Sequence, residues 1–133
     1  MSRAALVAIA LLCGACATTP QPGCAAGQER ALNELIYFGT ATPDGVVSAE
    51  AWNGFLRAVV TPSFPHGLTT WDAFGQWRSN DGTLTREASH VLNLVHPDDT
   101  ASESAIRTIV DEYKKQFRQE AVLRVTANAC ISY

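Results

Sequence analysis

The four cysteines of this chain lie at its two ends. Cys13, Cys16 and Cys24 fall within the first 24 residues, whereas Cys130 stands close to the C-terminus of the 133-residue sequence. A bond between an N-terminal and a C-terminal cysteine requires a fold that brings both ends of the chain together. Two questions follow from this placement: which cysteines pair, and in which cellular compartment the protein works.

The first 16 residues have the pattern of an export signal. Arg3 supplies a positive charge, an apolar run follows over residues 4–12, and the small residues Gly14 and Ala15 come next. A helix that spans a bilayer needs about 20 apolar residues, and this run is roughly half as long. We therefore predict a signal peptide over residues 1–16 rather than a lasting transmembrane helix.

Two processing routes fit this signal peptide. Residues 13–16 resemble a bacterial lipobox, in which Cys16 becomes the lipid-bearing N-terminus, although Cys13 stands where leucine is usual. Residues 15–17 also fit an ordinary signal peptidase site, which leaves Thr18 first. We favour the lipobox, because a cysteine directly after an apolar run otherwise suits an exported chain poorly. It predicts a lipid anchor in a membrane of the cell envelope, facing the periplasm; the other route predicts a soluble periplasmic protein.

Both routes leave Cys24 and Cys130 in the exported protein. An even pair of cysteines in an oxidising compartment predicts a disulfide. A Cys24–Cys130 bond would close a loop of about 107 residues and stabilise the fold by about 4–5 kcal/mol through the entropy of the unfolded chain. The alternatives are two free thiols or a metal site with a histidine. No CxxC or HxxH spacing supports the metal site, so we predict none.

The exported part of the chain reads as one linker and one domain. Residues 17–27, rich in Thr, Pro, Gln and Gly, suit a loose linker, and residues 28–133 suffice for a single domain. The domain is predicted to begin with a strand at 35–40 and a helix from Ala49 that Ser48 caps. Two strands follow at 68–77 and 83–95, joined by a turn at Asn80-Asp81-Gly82. A second helix after a capping box at Thr100–Glu103 and a strand at 121–131 complete the order. The order βαββαβ predicts an α+β, ferredoxin-like fold, with a four-stranded antiparallel sheet and two helices on one face.

The hairpin between the second and third strands predicts which side chains share a face. A two-residue turn at Asp81-Gly82 places Arg78 opposite Thr85. This register gives the sheet a polar face away from the helices, and it places Trp71, Trp77 and a core histidine, His90, under the helices. The polar face is interpreted either as a solvated face without a partner or as a ligand or partner surface, and the sequence leaves both interpretations open. Its predicted members are Asp72, Gln76, Arg78, Glu87, Ser89, Asn93 and Arg124.

Composition and the absence of known motifs argue against several classes of function. The net charge is −3 and basic residues do not cluster, which argues against nucleic acid binding. No phosphate loop, dinucleotide-binding glycine pattern or G-x-S-x-G elbow occurs. We therefore predict a small binding or interaction domain without a cofactor, whose partners are the membrane, through the N-terminal lipid, and either a second copy of the chain or another envelope protein.

The alternative function is a cofactor-free enzyme of a dimeric ferredoxin-like type that acts on a small molecule. It would use a cleft between helix and sheet near Trp71 and Trp77, with His66, Arg78 or Glu87 as the reacting groups. His96, which precedes Pro97 at the end of the third strand, is expected to cap the strand or contact solvent. No established catalytic motif supports this alternative, so the sequence favours binding over catalysis.

Several short motifs, each present once, are spread along the predicted domain. They include Tyr37-Phe38-Gly39, Trp52-x-x-Phe55-Leu56, Phe64-Pro65-x-Gly67-Leu68-Thr69, Gly75-Gln76-Trp77-Arg78 and Val122-Leu123-Arg124-Val125. Together they resemble the bacterial domain of unknown function 3574 family, whose members are small and often exported or lipid-anchored. The resemblance covers most of the predicted domain. It implies a fold and a cellular address, and it implies no catalytic residues.

Overall fold

The computed structural model describes residues 23–78 and 81–133. The predicted signal peptide, the predicted lipidation site Cys16 and residues 17–22 of the predicted linker lie outside these ranges, so they stay predictions. Among the helices that are described, none combines the length and the apolar character needed to cross a membrane.

The domain contains four long strands, a small hairpin and two helical regions. In chain order they are β1 (Glu29–Gly39), β2 (Ala41–Thr42), β3 (Gly45–Val46), α1 (Ala49–Phe55) continued by a π-helical turn (Leu56–Val60) and α2 (Thr61–Ser63), β4 (Thr69–Arg78), β5 (Leu84–His96), α3 (Thr100–Phe117) and β6 (Leu123–Ile131). The long strands form one sheet in the order β4-β5-β1-β6, and every neighbouring pair is antiparallel. The predicted ferredoxin-like α+β fold is confirmed.

Both helical regions begin at side-chain caps. The Ser48 hydroxyl accepts a hydrogen bond from the backbone N–H of Ala51 at 3.1 Å, as the sequence predicts. The cap of α3 lies one residue before the predicted one, because Asp99 rather than Thr100 accepts from the N–H of Ser102, at 2.7 Å. This hydrogen bond holds the pKa of Asp99 below its usual range.

The core lies between the helices and one face of the sheet. Ile36 and Phe38 from β1 and Leu92 and Leu94 from β5 form its floor. The helices cover this floor with Trp52, Phe55, Val60, Ile106, Ile109 and Tyr113. Aromatic rings fill the centre of this layer, and the ring centre of Phe38 lies 4.5 Å from that of Tyr113. Trp52 and Phe55 of the first helix therefore belong to the core.

The predicted disulfide joins the two ends of the domain. Cys24 lies just before β1, and Cys130 lies in β6 opposite Arg30. The Cα atoms of the two cysteines are 5.5 Å apart, within the usual range for a disulfide. A turn at residues 25–28 lies between Cys24 and β1, and β1 and β6 are neighbours in the sheet, so the bond joins segments that are already close.

The register of β4 and β5 differs from the predicted one. Thr85 lies opposite Trp77, one place away from its predicted partner. Arg78 lies opposite Leu84, so the odd-numbered connection 79–83 separates these partners, whereas a two-residue turn requires an even number. A shift of one residue moves the side chains of a strand to the other face of the sheet.

Candidate functional site

The residues predicted to form one polar surface lie on two faces of the sheet. Even-numbered residues of the four long strands point to the helix side, and odd-numbered residues form the opposite face, which we call the open face. The helix side carries four of the predicted residues, Asp72, Gln76, Arg78 and Arg124, and the open face carries the other three, Glu87, Ser89 and Asn93. The prediction that these residues share one face is wrong.

Asp72 and His90 form a polar pair on the helix side. Asp72 Oδ1 lies 2.7 Å from His90 Nδ1, and the imidazole ring stacks on Trp52 with ring centres 4.6 Å apart. Because a carboxylate only accepts hydrogen bonds, Nδ1 carries the proton and Nε2 is left as an acceptor. Nε2 is buried and has no hydrogen-bond partner within the described ranges. The prediction that His90 is a core histidine is confirmed.

Arg124 links the sheet to α3 through two carboxylates. Its Nε donates to Glu34 Oε1 at 2.6 Å, and its two terminal nitrogens donate to Glu103 at 2.8 and 3.1 Å. Glu34 is fully buried and also accepts a hydrogen bond from the Thr126 hydroxyl at 2.7 Å. Hydrogen bonds from Arg124 and then Arg107 lower the pKa of Glu103 to about 2. The guanidinium of Arg124 therefore holds the fold together, with nitrogens directed at protein carboxylates.

Glu87 packs against the end of β1. A Cβ atom at Gly39 would overlap with the Glu87 carboxyl group, so a larger residue at this position would force the Glu87 side chain to move. The Tyr113 hydroxyl donates to the carbonyl oxygen of Gly39 at 2.9 Å. Burial raises the pKa of Glu87, and burial followed by the nearby charge of Glu87 raises the pKa of Tyr113. The carboxyl group thus lies against Gly39 at the end of β1.

The open face is apolar where the sequence predicted a polar surface. A row of four side chains crosses it, because Trp71 lies opposite Val91, Val91 opposite Tyr37, and Tyr37 opposite Leu123. We call these residues the apolar row. Trp71 is 45% exposed and Leu123 is 61% exposed, while Val91 between its neighbours is buried. Trp77, further along β4, is also exposed on this face.

These positions correct two predictions. Trp71 and Trp77 were expected under the helices, and they lie on the opposite face of the sheet. No helix–sheet cleft therefore forms at these tryptophans. Among the described strand residues, the open face has only two charged side chains, Glu29 and Glu87, and neither belongs to the apolar row.

A cavity of about 640 Å³ lies at the end of the sheet where β1 begins. Its wall combines the loop after α2, the first turn of α3 and the adjacent ends of β1, β5 and β6, and it includes His66 and His96. Sites for small molecules usually measure about 300–1,000 Å³. In the part of the chain that is described, no three metal-ligating side chains come together, here or elsewhere.

His96 is buried in the wall of this cavity, and the prediction that it contacts solvent is wrong. Its Nδ1 lies 2.8 Å from the carbonyl oxygen of Pro97. A carbonyl oxygen only accepts, so Nδ1 carries a proton, and in the neutral imidazole Nε2 therefore holds a free lone pair. Nε2 is shielded from solvent and takes no hydrogen bond from any described residue. Sequence reasoning missed this group because its burial depends on the loop that precedes β4.

Comparison with solved structures reveals the same fold in proteins of very different sequence. A phage SAM lyase in complex with S-methyl-5'-thioadenosine superposes with a TM-score of 0.59 and 12% identity, over 84% of this chain and 95% of that chain. CutA from Synechococcus elongatus, complexed with Bis-Tris, gives 0.51 and 11%, over 79% and 87% of the two chains. At such identities the likeness shows the fold alone. No curated protein matches the chain significantly.

One family model matches most of the domain. Its description is "Protein of unknown function (DUF3574)", and the match covers residues 33–133. This range includes every strand and helix of the fold except the first residues of β1. The resemblance that the sequence motifs indicate is confirmed, and the chain belongs to the DUF3574 family.

Proposed function

We propose that this protein is an exported, lipid-anchored envelope domain that acts by binding a protein, and that the open face is the binding surface. The observation that carries the proposal is the apolar row. Contiguous apolar surface on a folded domain marks interaction sites. Tryptophan is the residue type most enriched among energetically dominant interface positions, and Trp71 and Trp77 are each about half exposed.

A second copy of the chain is the partner that we expect. Two-fold pairing places the same patch on both sides of an interface, so the patch must complement itself. The apolar row meets this requirement, because it has no charge that would face an identical charge across the two-fold axis. Another envelope protein is the alternative occupant.

We expect the exported protein to sediment as a dimer and its Leu123→Glu variant to sediment as a monomer. The two-fold axis would bury two unpaired carboxylates, so the dissociation constant should rise by a factor on the order of a hundred or more. Leu84→Glu is the matched control, because Leu84 is 47% exposed on the other face of the sheet. Sedimentation velocity over a range of concentrations measures all three proteins.

A wild-type protein that stays monomeric at every concentration would contradict the dimer. Dissociation of the Leu84→Glu variant as readily as Leu123→Glu would contradict the assignment to the open face. The wild type could instead be a monomer that forms a stoichiometric complex with a different envelope protein. If Leu123→Glu abolished that complex, the open face would remain the binding surface, with that protein as the partner in place of a second copy.

Two observations support the proposed address. Residues 1–16 have the pattern of an export signal, and the Cys24–Cys130 bond suits an oxidising compartment. A lipid on Cys16 would leave residues 17–23 as the tether, which reaches at most about 23 Å when extended. The domain would then work close to the membrane surface.

Processing of the N-terminus tests this address. We expect intact-mass analysis of protein from the membrane fraction to find a chain that begins at Cys16 and carries a lipid, and we expect Cys16→Ser to abolish the lipid mass. Cys13→Ser is the control, since this residue is removed with the signal. A soluble chain that begins at Thr18 would contradict lipidation and would show that the ordinary signal peptidase cleaves the chain. An unprocessed cytosolic chain in which Cys24 and Cys130 react with alkylating agents would contradict export.

The cavity favours the second candidate function, a cofactor-free enzyme acting on a small molecule. Histidine is the commonest side chain for proton transfer, and a catalytic histidine must reach the transferred proton. His66 is exposed at the cavity and His96 is buried in its wall. These residues, and not a cleft at the tryptophans, would form the reacting centre of such an enzyme.

A further inference from the structure

We propose that the cavity at the end of the sheet binds a small neutral molecule with an apolar body and one O–H or N–H group, which donates a hydrogen bond to His96 Nε2. This inference goes beyond the proposed binding function, because it concerns neither the apolar row nor the N-terminal anchor. It names the class of ligand for the cavity of the second candidate function, and it does not require that the ligand reacts. It rests on the state of one buried atom and on the composition of the wall around it.

The acceptor is fixed by the backbone. The Pro97 carbonyl oxygen holds the proton on His96 Nδ1, at 2.8 Å, so the lone pair lies on Nε2. Buried polar atoms almost always have a hydrogen-bond partner, so one without a partner needs an explanation. Since Nε2 can only accept in this tautomer, the missing partner must be a donor.

The rest of the wall suits an apolar body. Its larger apolar members are Phe64, Leu68, Val95, Ile131 and Tyr133. Small polar residues, including Asn93 and Ser102, also line the cavity. Sites for small molecules typically combine such a lining with a few placed polar groups.

An anionic ligand fits this cavity less well. The first turn of α3 borders it, and a helix N-terminus ordinarily attracts anions. Here the Asp99 carboxylate already accepts from the N–H of Ser102, and the two charged residues of the wall, Glu29 and Arg30, offset each other. The local charge therefore favours a neutral donor over a carboxylate or phosphate.

Entry requires a movement of the wall, because Nε2 is shielded. Phe64 is half-buried, and its ring centre lies 5.9 Å from that of His96. It follows directly after α2, in a segment that forms neither helix nor strand before β4 begins at Thr69. Rotation of the Phe64 side chain is the movement that we expect to open Nε2 to the ligand.

Phenol and anisole test the hydrogen bond, because both present a benzene ring and only phenol donates. We expect the full chain to bind phenol about tenfold or more tightly than anisole, measured by NMR titration. The ¹⁵N resonance of His96 Nε2 should shift with phenol and stay in place with anisole. His90 is an internal control: its Nε2 is also buried and without a described partner, but it lies outside the cavity wall. Its resonance should not move.

The variant His96→Phe keeps a ring in the wall and removes the acceptor, so phenol should lose its advantage over anisole. Equal binding of the two probes to the wild type, binding of neither, or a preference for phenol that survives in His96→Phe would overturn the proposal. If the variant does not fold, the wild-type ¹⁵N shifts decide, because an unmoved Nε2 resonance at saturating phenol overturns it as well.

Discussion

Loss of the Cys24–Cys130 disulfide is expected to lower the free energy of unfolding by about 4–5 kcal/mol. The two cysteines are separated by 106 residues in sequence, so the bond restrains nearly the whole unfolded domain. The entropy that a cross-link removes from the unfolded state grows with the length of the closed loop. Domains of this size are stable by only about 5–15 kcal/mol, so the bond would supply a large part of the total.

Urea unfolding of the wild type and of the double variant Cys24→Ser/Cys130→Ser measures this effect. The folded state should change little, because the hydrogen-bonded ladder between β1 and β6 already holds the two ends of the chain together. The single variant Cys24→Ser, which leaves one free thiol, should lose the same amount as the double variant. If both variants lost less than about 1 kcal/mol, the unfolded chain would gain little conformational entropy when the disulfide is removed, and the prediction would be contradicted.

Local patterns predicted the elements of the fold well. The Ser48 cap and the predicted helix and strand segments each depend on residues close in sequence. Once six elements are read in the order βαββαβ, few arrangements remain. The ferredoxin-like sheet follows from this order without knowledge of any long-range contact.

The register of the β4–β5 hairpin was not predictable in the same way. Phe74 and Trp77 lie on opposite faces of β4, and both are more than half exposed. The outer part of the hairpin thus has no buried face, and register is weakly specified where neither face is buried. The wrong register then placed the polar residues of β4 and β5 on one surface and obscured the apolar row.

The orientation of β6 depends on a contact that is distant in sequence. Arg124 was expected on the face away from the helices, but the apolar residues Leu123 and Val125 face outward and Arg124 faces the helices. The reason is Glu34, which interrupts the apolar pattern of β1 and lies buried where Arg124 can reach it. A charged residue between Leu32 and Ile36 was the available sign that a partner of opposite charge lies inside.

Replacing Arg124 by methionine is expected to lower the free energy of unfolding by about 3–5 kcal/mol. The fully buried Glu34 carboxylate would lose a partner at 2.6 Å and retain the Thr126 hydroxyl. Arg107→Met is the matched control, because Arg107 forms an exposed pair with Glu103. Exposed pairs of this kind contribute less than about 1 kcal/mol. Denaturant unfolding at neutral pH compares the two variants.

The loss of folding stability at acidic pH is an independent test of the ion pairs that Arg124 forms with Glu34 and Glu103. Arg124 and then Arg107 lower the pKa of Glu103 from 4.5 to about 2. A carboxyl group whose pKa is lower in the folded state stabilises the fold above its unfolded pKa, and this contribution disappears as the pH falls toward the folded value. Removing Arg124 should therefore flatten the loss of stability between pH 4.5 and 2. An Arg124→Met variant as stable as Arg107→Met, with an unchanged loss of stability at acidic pH, would mean that the buried carboxylate does not depend on this guanidinium.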